Sequence, residues 1–130
     1  MKQLSLTITI MLCLGSFATH AQTSKVLLDN DKVKITEYIS KPGQDVCGTG
    51  NHTHGNHATI LLTDAKVKTI ESDKTVVIET YQADKHLYTA VKNGKTEKMT
   101  TDGTFWAKRA THSVTNVGDK ILRFYIIETK

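Results

Sequence analysis

The feature that most limits what this chain can become is how closely its turn dipeptides follow one another. Asn30-Asp31, Pro42-Gly43, Ser72-Asp73, Asn93-Gly94, Asp102-Gly103 and Gly118-Asp119 cut it into short runs rich in Val, Ile, Thr and Tyr. β-Branched and aromatic residues suit a pleated, half-buried surface, and Asn-Gly is the strongest short hairpin signal. No sustained helical period competes with them. The runs predict strands near Lys25–Leu28, Lys32–Ser40, His57–Thr63, Lys66–Glu71, Thr75–Tyr81, His86–Lys92, Lys95–Thr100, Phe105–Ala107, His112–Val117 and Lys120–Thr129, an antiparallel all-β domain. Apolar residues occupy both parities in Ala58–Leu62 and Ile121–Ile127, so both faces of those strands are expected to be covered, by a sandwich interior and a subunit interface of a homodimer.

The N-terminus reads differently. Lys2, the apolar stretch Leu6–Leu14 and the small residues Ala18, Thr19 and Ala21 have the layout of a cleavable signal peptide spanning 1–21, with the cut after Ala21. The apolar core is short for a bilayer span of about 20 residues. Ile10, Met11 and Leu12 do not supply the small residue that a lipoprotein cleavage before Cys13 needs. The expected mature domain is therefore 22–130, periplasmic or secreted, with no stable membrane insertion once the signal is removed.

Loss of Lys2 leaves 16 Lys and Arg against 13 Asp and Glu, a net charge of +3. These lysines are scattered among Thr, Asp and Glu, which speaks against a nucleic-acid stripe. Cys47 has no second cysteine in the domain to pair with, so the core must hold the fold by itself. A serine-nucleophile elbow and Gly-rich phosphate loops are both missing from the sequence. Glu37, Glu71 and Glu79 show no fixed spacing of the kind a two-carboxylate glycosidase would use.

Histidine carries the functional signal. His52, His54 and His57 lie within six residues, and His112 stands far along the chain. In a strand, His52 and His54 share a face. His57 has the opposite parity, and a bend at Gly55-Asn56 would bring it back to the same point. Converging neutral imidazoles favour Zn, Cu, Ni or Fe over Ca or Mg. On the triplet alone, a metal site and a surface cluster of loop histidines remain equally open.

Two stretches narrow the choice. One runs from Pro42-Gly43 through His52-Thr53-His54 to Ala58-Thr59-Ile60-Leu61-Leu62; the other joins Asp102-Gly103-Thr104-Phe105-Trp106 to His112-Ser113-Val114-Thr115-Asn116-Val117-Gly118-Asp119. Together they resemble the two signature motifs of small cupins and span most of the domain. The resemblance implies a jelly-roll barrel holding one divalent transition metal (Zn, Fe, Ni, Mn or Cu) through His52, His54 and His112. His57 stands where many cupins place a glutamate, so the implied site has three or four imidazoles and no carboxylate. Lys108-Arg109-Ala110 replaces the usual Pro-x-Gly, and the stretch between Thr63 and Phe105 leaves room for an added hairpin.

Of the other residues, Arg109 is a candidate to clamp a ligand carboxylate, with Lys108 supplying a second charge. Asn116 would either orient a ligand or bond its own turn. Trp106 is a candidate at the ligand site, although it, Phe105, Tyr88 and Tyr125 read first as packing residues, and His86 is expected to face solvent. Cys47 is expected to take no part in metal binding, because four histidines already fill a usual inner shell. The expected partner is a small-molecule ligand or substrate, not nucleic acid. Three functions follow in order: a metal-dependent oxygenase, isomerase or lyase; a non-catalytic metal or small-ligand module; and a structural protein with idle histidines.

Overall fold

The structure is a computed structural model that describes residues 21–83, 86–100, 105–109 and 111–130; the side chains of 86–88, 96, 98–100 and 105–109 lie outside that description. The signal segment therefore falls almost wholly outside it. Eleven strands are present among the described residues: β1 (Thr23–Asp29), β2 (Val33–Ser40), β3 (His52–Thr53), β4 (His57–Leu61), β5 (Ala65–Glu71), β6 (Val76–Tyr81), β7 (His86–Lys92), β8 (Lys95–Thr100), β9 (Phe105–Arg109), β10 (Thr111–Asn116) and β11 (Leu122–Thr129). All ten expected strands are found. The eleventh, β3, is too short to show in a hydrophobic pattern.

They form two antiparallel sheets, one in the order β1-β2-β11-β4-β7-β8-β9 and the other β3-β10-β5-β6. Leu61, Leu122, Phe124 and Ile126 of the larger sheet meet Ala65, Val67 and Val114 of the smaller, and Val46 closes the core from a loop. Alternation places them there: in β11 the buried Leu122, Phe124 and Ile126 alternate with more accessible residues, and β10 and β5 do the same. Tyr38 stacks on Phe124 with ring centroids 5.3 Å apart, fixing β2 against β11. The opposite parity of the larger sheet carries Ile35, Ile39, Ile60, Tyr125 and Ile127, which are half-buried within the single chain.

The turns act as their residues dictate. Asn93 and Gly94 both have positive φ, 52° and 71°, the type I′ geometry whose twist matches a hairpin, here joining β7 to β8. Gly43 follows Pro42 with φ 82°, and Gln44 N–H bonds Lys41 carbonyl at 3.0 Å, closing a type II turn. The long stretch between Thr63 and Phe105 is taken up by the β5–β6 and β7–β8 hairpins.

Asn116 is a fastener. Its side chain is 1% exposed; it donates to the carbonyls of Ser40 and Lys120, both at 3.0 Å, and accepts from Gly118 N–H at 3.0 Å. Of the two roles open from sequence, the structure places this side chain in the turn-bonding one. A hydrogen bond contributes about 1 kcal/mol net, and a buried group left unpaired costs about 1–3 kcal/mol. Asn116→Ala is therefore expected to lower stability by about 2–4 kcal/mol in urea unfolding while leaving metal content unchanged. A stable variant that loses metal would reverse the assignment.

Candidate metal centre

The site is built on β10. Segment 43–46 lies antiparallel along this strand: Gly43 N–H bonds Asn116 carbonyl at 2.8 Å, Asn116 N–H bonds Gln44 carbonyl at 2.9 Å, and Val46 N–H bonds Val114 carbonyl at 2.9 Å. Pairing resumes at His52 opposite His112 and Thr53 opposite Thr111. Residues 47–51 thus bulge out opposite Ser113 alone. Thr53 and Thr111 hydroxyls bond at 2.8 Å and lock the resumed register.

Two glycines shape the bulge. At Gly48 a Cβ would lie 2.5 Å from Cγ of the His52 ring, so only glycine lets the ring settle there. Gly50 has φ 59°, is held by its N–H to Asp45 Oδ2 at 3.0 Å, and offers its carbonyl to His52 Nδ1 at 2.9 Å. A carbonyl can only accept, so Nδ1 carries the hydrogen and, in the neutral ring, Nε2 is left with the lone pair. His57 is prepared in the same way, by Nδ1 donating to Gly55 carbonyl at 2.8 Å. Such outer bonds fix tautomer and ring direction in metal-binding histidines.

The strand row across the smaller sheet reads His52, His112, Glu71. His54 follows immediately after β3. Ring centroids lie 4.7 Å apart for His52 and His54, 5.0 Å for His52 and His112, 5.9 Å for His54 and His112, and 5.1 Å for His54 and His57. The bend at Gly55-Asn56 does turn His57 inward. Asn56 anchors it by accepting from Val91 N–H at 2.7 Å, and His57 is buried beside His54.

The tightest donor set among the described residues is not the four histidines. One donor atom each from Cys47, His52, His54 and His112 lies within 4.8 Å of all the others, and Cys47 Sγ is 3.1 Å from His52 Nε2. Cys47, set aside in the sequence reading, belongs to this set, and His57 does not. The signal available was the pair of glycines between Cys47 and His52, which allow a tight fold-back. Glu71 was equally invisible; it is 7% exposed, its carboxylate oxygens shielded from solvent, and it reaches this row only through strand pairing. It is not part of the donor set.

The donors fit a transition metal. His54 Nε2 is shut off from solvent and has no hydrogen-bond partner among the described residues, an unmet need that an ion would answer. Burial, reinforced by the charges that His57, His52 and His112 would carry, pushes the His54 pKa down to about 3. The ring is neutral at pH 7, as a ligand must be. A cavity of about 90 Å³ is lined by Leu61, Val67, Val114, Phe124 and Ile126 together with Cys47, His54, His57 and His112. That space is well above the roughly 15 Å³ that one water needs and below the about 150 Å³ of an engineered cavity that takes up benzene, so as it stands it has room for a molecule smaller than benzene. Trp106 and Arg109 fall in β9 and His86 in β7, their side chains outside the described residues; Asn116 does not line this cavity.

Two outcomes are expected. Gly48→Ala would push the His52 ring aside, keeping the β-sheet circular dichroism but weakening zinc binding at least tenfold in a competition titration; unchanged affinity would contradict the packing argument. In chelated protein, the unfolded chain binds a proton near pH 6.5 that native His54 refuses until about pH 3. Stability falls as pH drops through that window. The loss should be smaller in His54→Asn, and parallel pH profiles for the two proteins would show that His54 is not the cause.

No protein-family model and no curated protein matches the sequence. Solved structures do. A cupin domain from Bordetella pertussis Tohama I superimposes with a TM-score of 0.59 at 21% identity, over 86% of this chain and 96% of that one. An RmlC-like cupin family protein with a double-stranded β-helix fold from Methanocaldococcus jannaschii gives 0.54 at 10% identity, over 88% and 85%. A cupin superfamily protein from Desulfitobacterium hafniense DCB-2 gives 0.51 at 11% identity, over 85% and 79%. The chain has the fold of a small cupin domain, an antiparallel jelly roll.

Proposed function

We propose that this is an exported small cupin that holds one divalent transition-metal ion through His52, His54 and His112 and uses it to bind and transform a small molecule lodged in the adjoining cavity. The observation that carries the reading is the meeting of donor atoms from β3, the residue following it and β10, all within 4.8 Å of one another. Surface histidine clusters have no reason to bring His52 and His112, 60 positions apart, into one row, to pre-set ring tautomers, or to seal a ring nitrogen from water. An ion there would supply Lewis acidity, or redox chemistry if it is iron or copper. The protein's part is to hold the rings neutral and oriented beside a mostly apolar lining. The layout of Met1–Ala21 supports export.

A second reading, a metal-holding module without turnover, is favoured by one feature: with Cys47 the cluster already offers four donors, enough to close a tetrahedral ion. Exchangeable water on the bound ion would separate the two, being present for the first reading and absent for the second.

The purified protein is expected to contain about one transition metal per chain, lost in His52→Ala and in His112→Ala. Chelation should lower the melting temperature, because the ion binds the native state alone. Elemental analysis that finds the metal retained in both variants would end the assignment.

A further inference from the structure

We propose that the Cys47 thiolate is itself a ligand of the ion, making a mixed nitrogen and sulfur centre in which sulfur takes the place that sequence reasoning gave to His57. This deepens the metal-binding reading above and rests on it. A free cysteine is ordinarily a small buried hydrophobe, and Cys47 does touch the core, but its sulfur is directed at a ring nitrogen. That nitrogen, His52 Nε2, is the one left with a lone pair by the Gly50 bond.

The separation suits shared ligation. Donors bound at about 2.3 Å (sulfur) and 2.05 Å (nitrogen) lie about 3.1 Å apart when they subtend a right angle at the ion, and about 3.6 Å apart at the tetrahedral angle. The observed 3.1 Å falls at the short end of that range. At the tetrahedral angle the donors of one ion lie about 3.4–3.6 Å apart, so a pair at the 4.8 Å bound of this cluster would close by about 1.2 Å as the ion binds.

The loop is shaped for this. Gly48 admits the His52 ring against the backbone next to Cys47, and Gly50 reverses the chain, so sulfur and ring face each other across the bulge. Cys47 also borders the cavity beside His54 and His112. On binding, the thiol proton that can be shared with His52 Nε2 leaves to solvent as the metal–sulfur bond forms, and no redox change is needed. A soft thiolate steers the site toward Zn, Co or Cu(I) and away from Mn and Mg.

The test is X-ray absorption on the reduced, zinc-loaded full chain, alongside near-ultraviolet spectra of the cobalt-loaded form. Expected are one ion per chain, a zinc–sulfur shell at about 2.3 Å and a thiolate-to-cobalt charge-transfer band. In Cys47→Ser and Cys47→Ala both signatures should vanish, zinc affinity should fall tenfold or more, and the preference for zinc over manganese should shrink. One ion per chain with only nitrogen and oxygen neighbours in the wild type would overturn the thiolate assignment and leave the three-histidine site standing. Failure of the wild type to retain either ion stoichiometrically would overturn both.

Discussion

Everything at the candidate metal centre depends on how residues 43–53 lie along β10. Backbone hydrogen bonds from Gly43 to Val46, then the His52–His112 pairing, hold two distant parts of the chain in one register. Side chains in a strand alternate with period two, so a slip of one residue would turn His112 outward and bring Ser113 to the interior. The register is enforced from the far end by Asn116, whose three side-chain bonds tie β10 to β2 and to the turn before β11. Local chemistry thus inherits its precision from sheet pairing and not from the rigidity of the loop.

Within that frame, burial and hydrogen bonding act on the imidazoles in the same direction. Carbonyls at Gly50 and Gly55 hold the Nδ1 hydrogens of His52 and His57, while crowding and low solvent access keep His54 uncharged. These are the conditions that a cation would require of nitrogen donors. Such preparation leaves polar nitrogen in a partly apolar interior, which is costly unless something occupies the centre.

The strand plan was readable because β-branched runs and turn dipeptides are local signals, and the positive φ angles of Gly43, Asn93 and Gly94 fall where Pro-Gly and Asn-Gly promised them. His57 was readable too, since Gly55-Asn56 announces a bend. Cys47 was not: its approach to His52 has no period and arises from a bulge that exists only because pairing stops at Val46 and resumes at His52. Glu71 stayed hidden for a related reason, as its place opposite His112 is fixed by the pairing of β5 with β10. Asn116 could be given two roles from sequence; the carbonyl of Ser40, 76 positions away, decides between them.

β10 divides its labour along its length. One end carries His112, one of the candidate donors, the middle supplies Val114 to the core, and the other end carries the Asn116 clasp. The candidate ligand and the fastening therefore sit on separate residues of a single short strand. A change of side chain near its start need not disturb the fastening at its finish, so the chemistry at position 112 is open to variation within an unaltered shell.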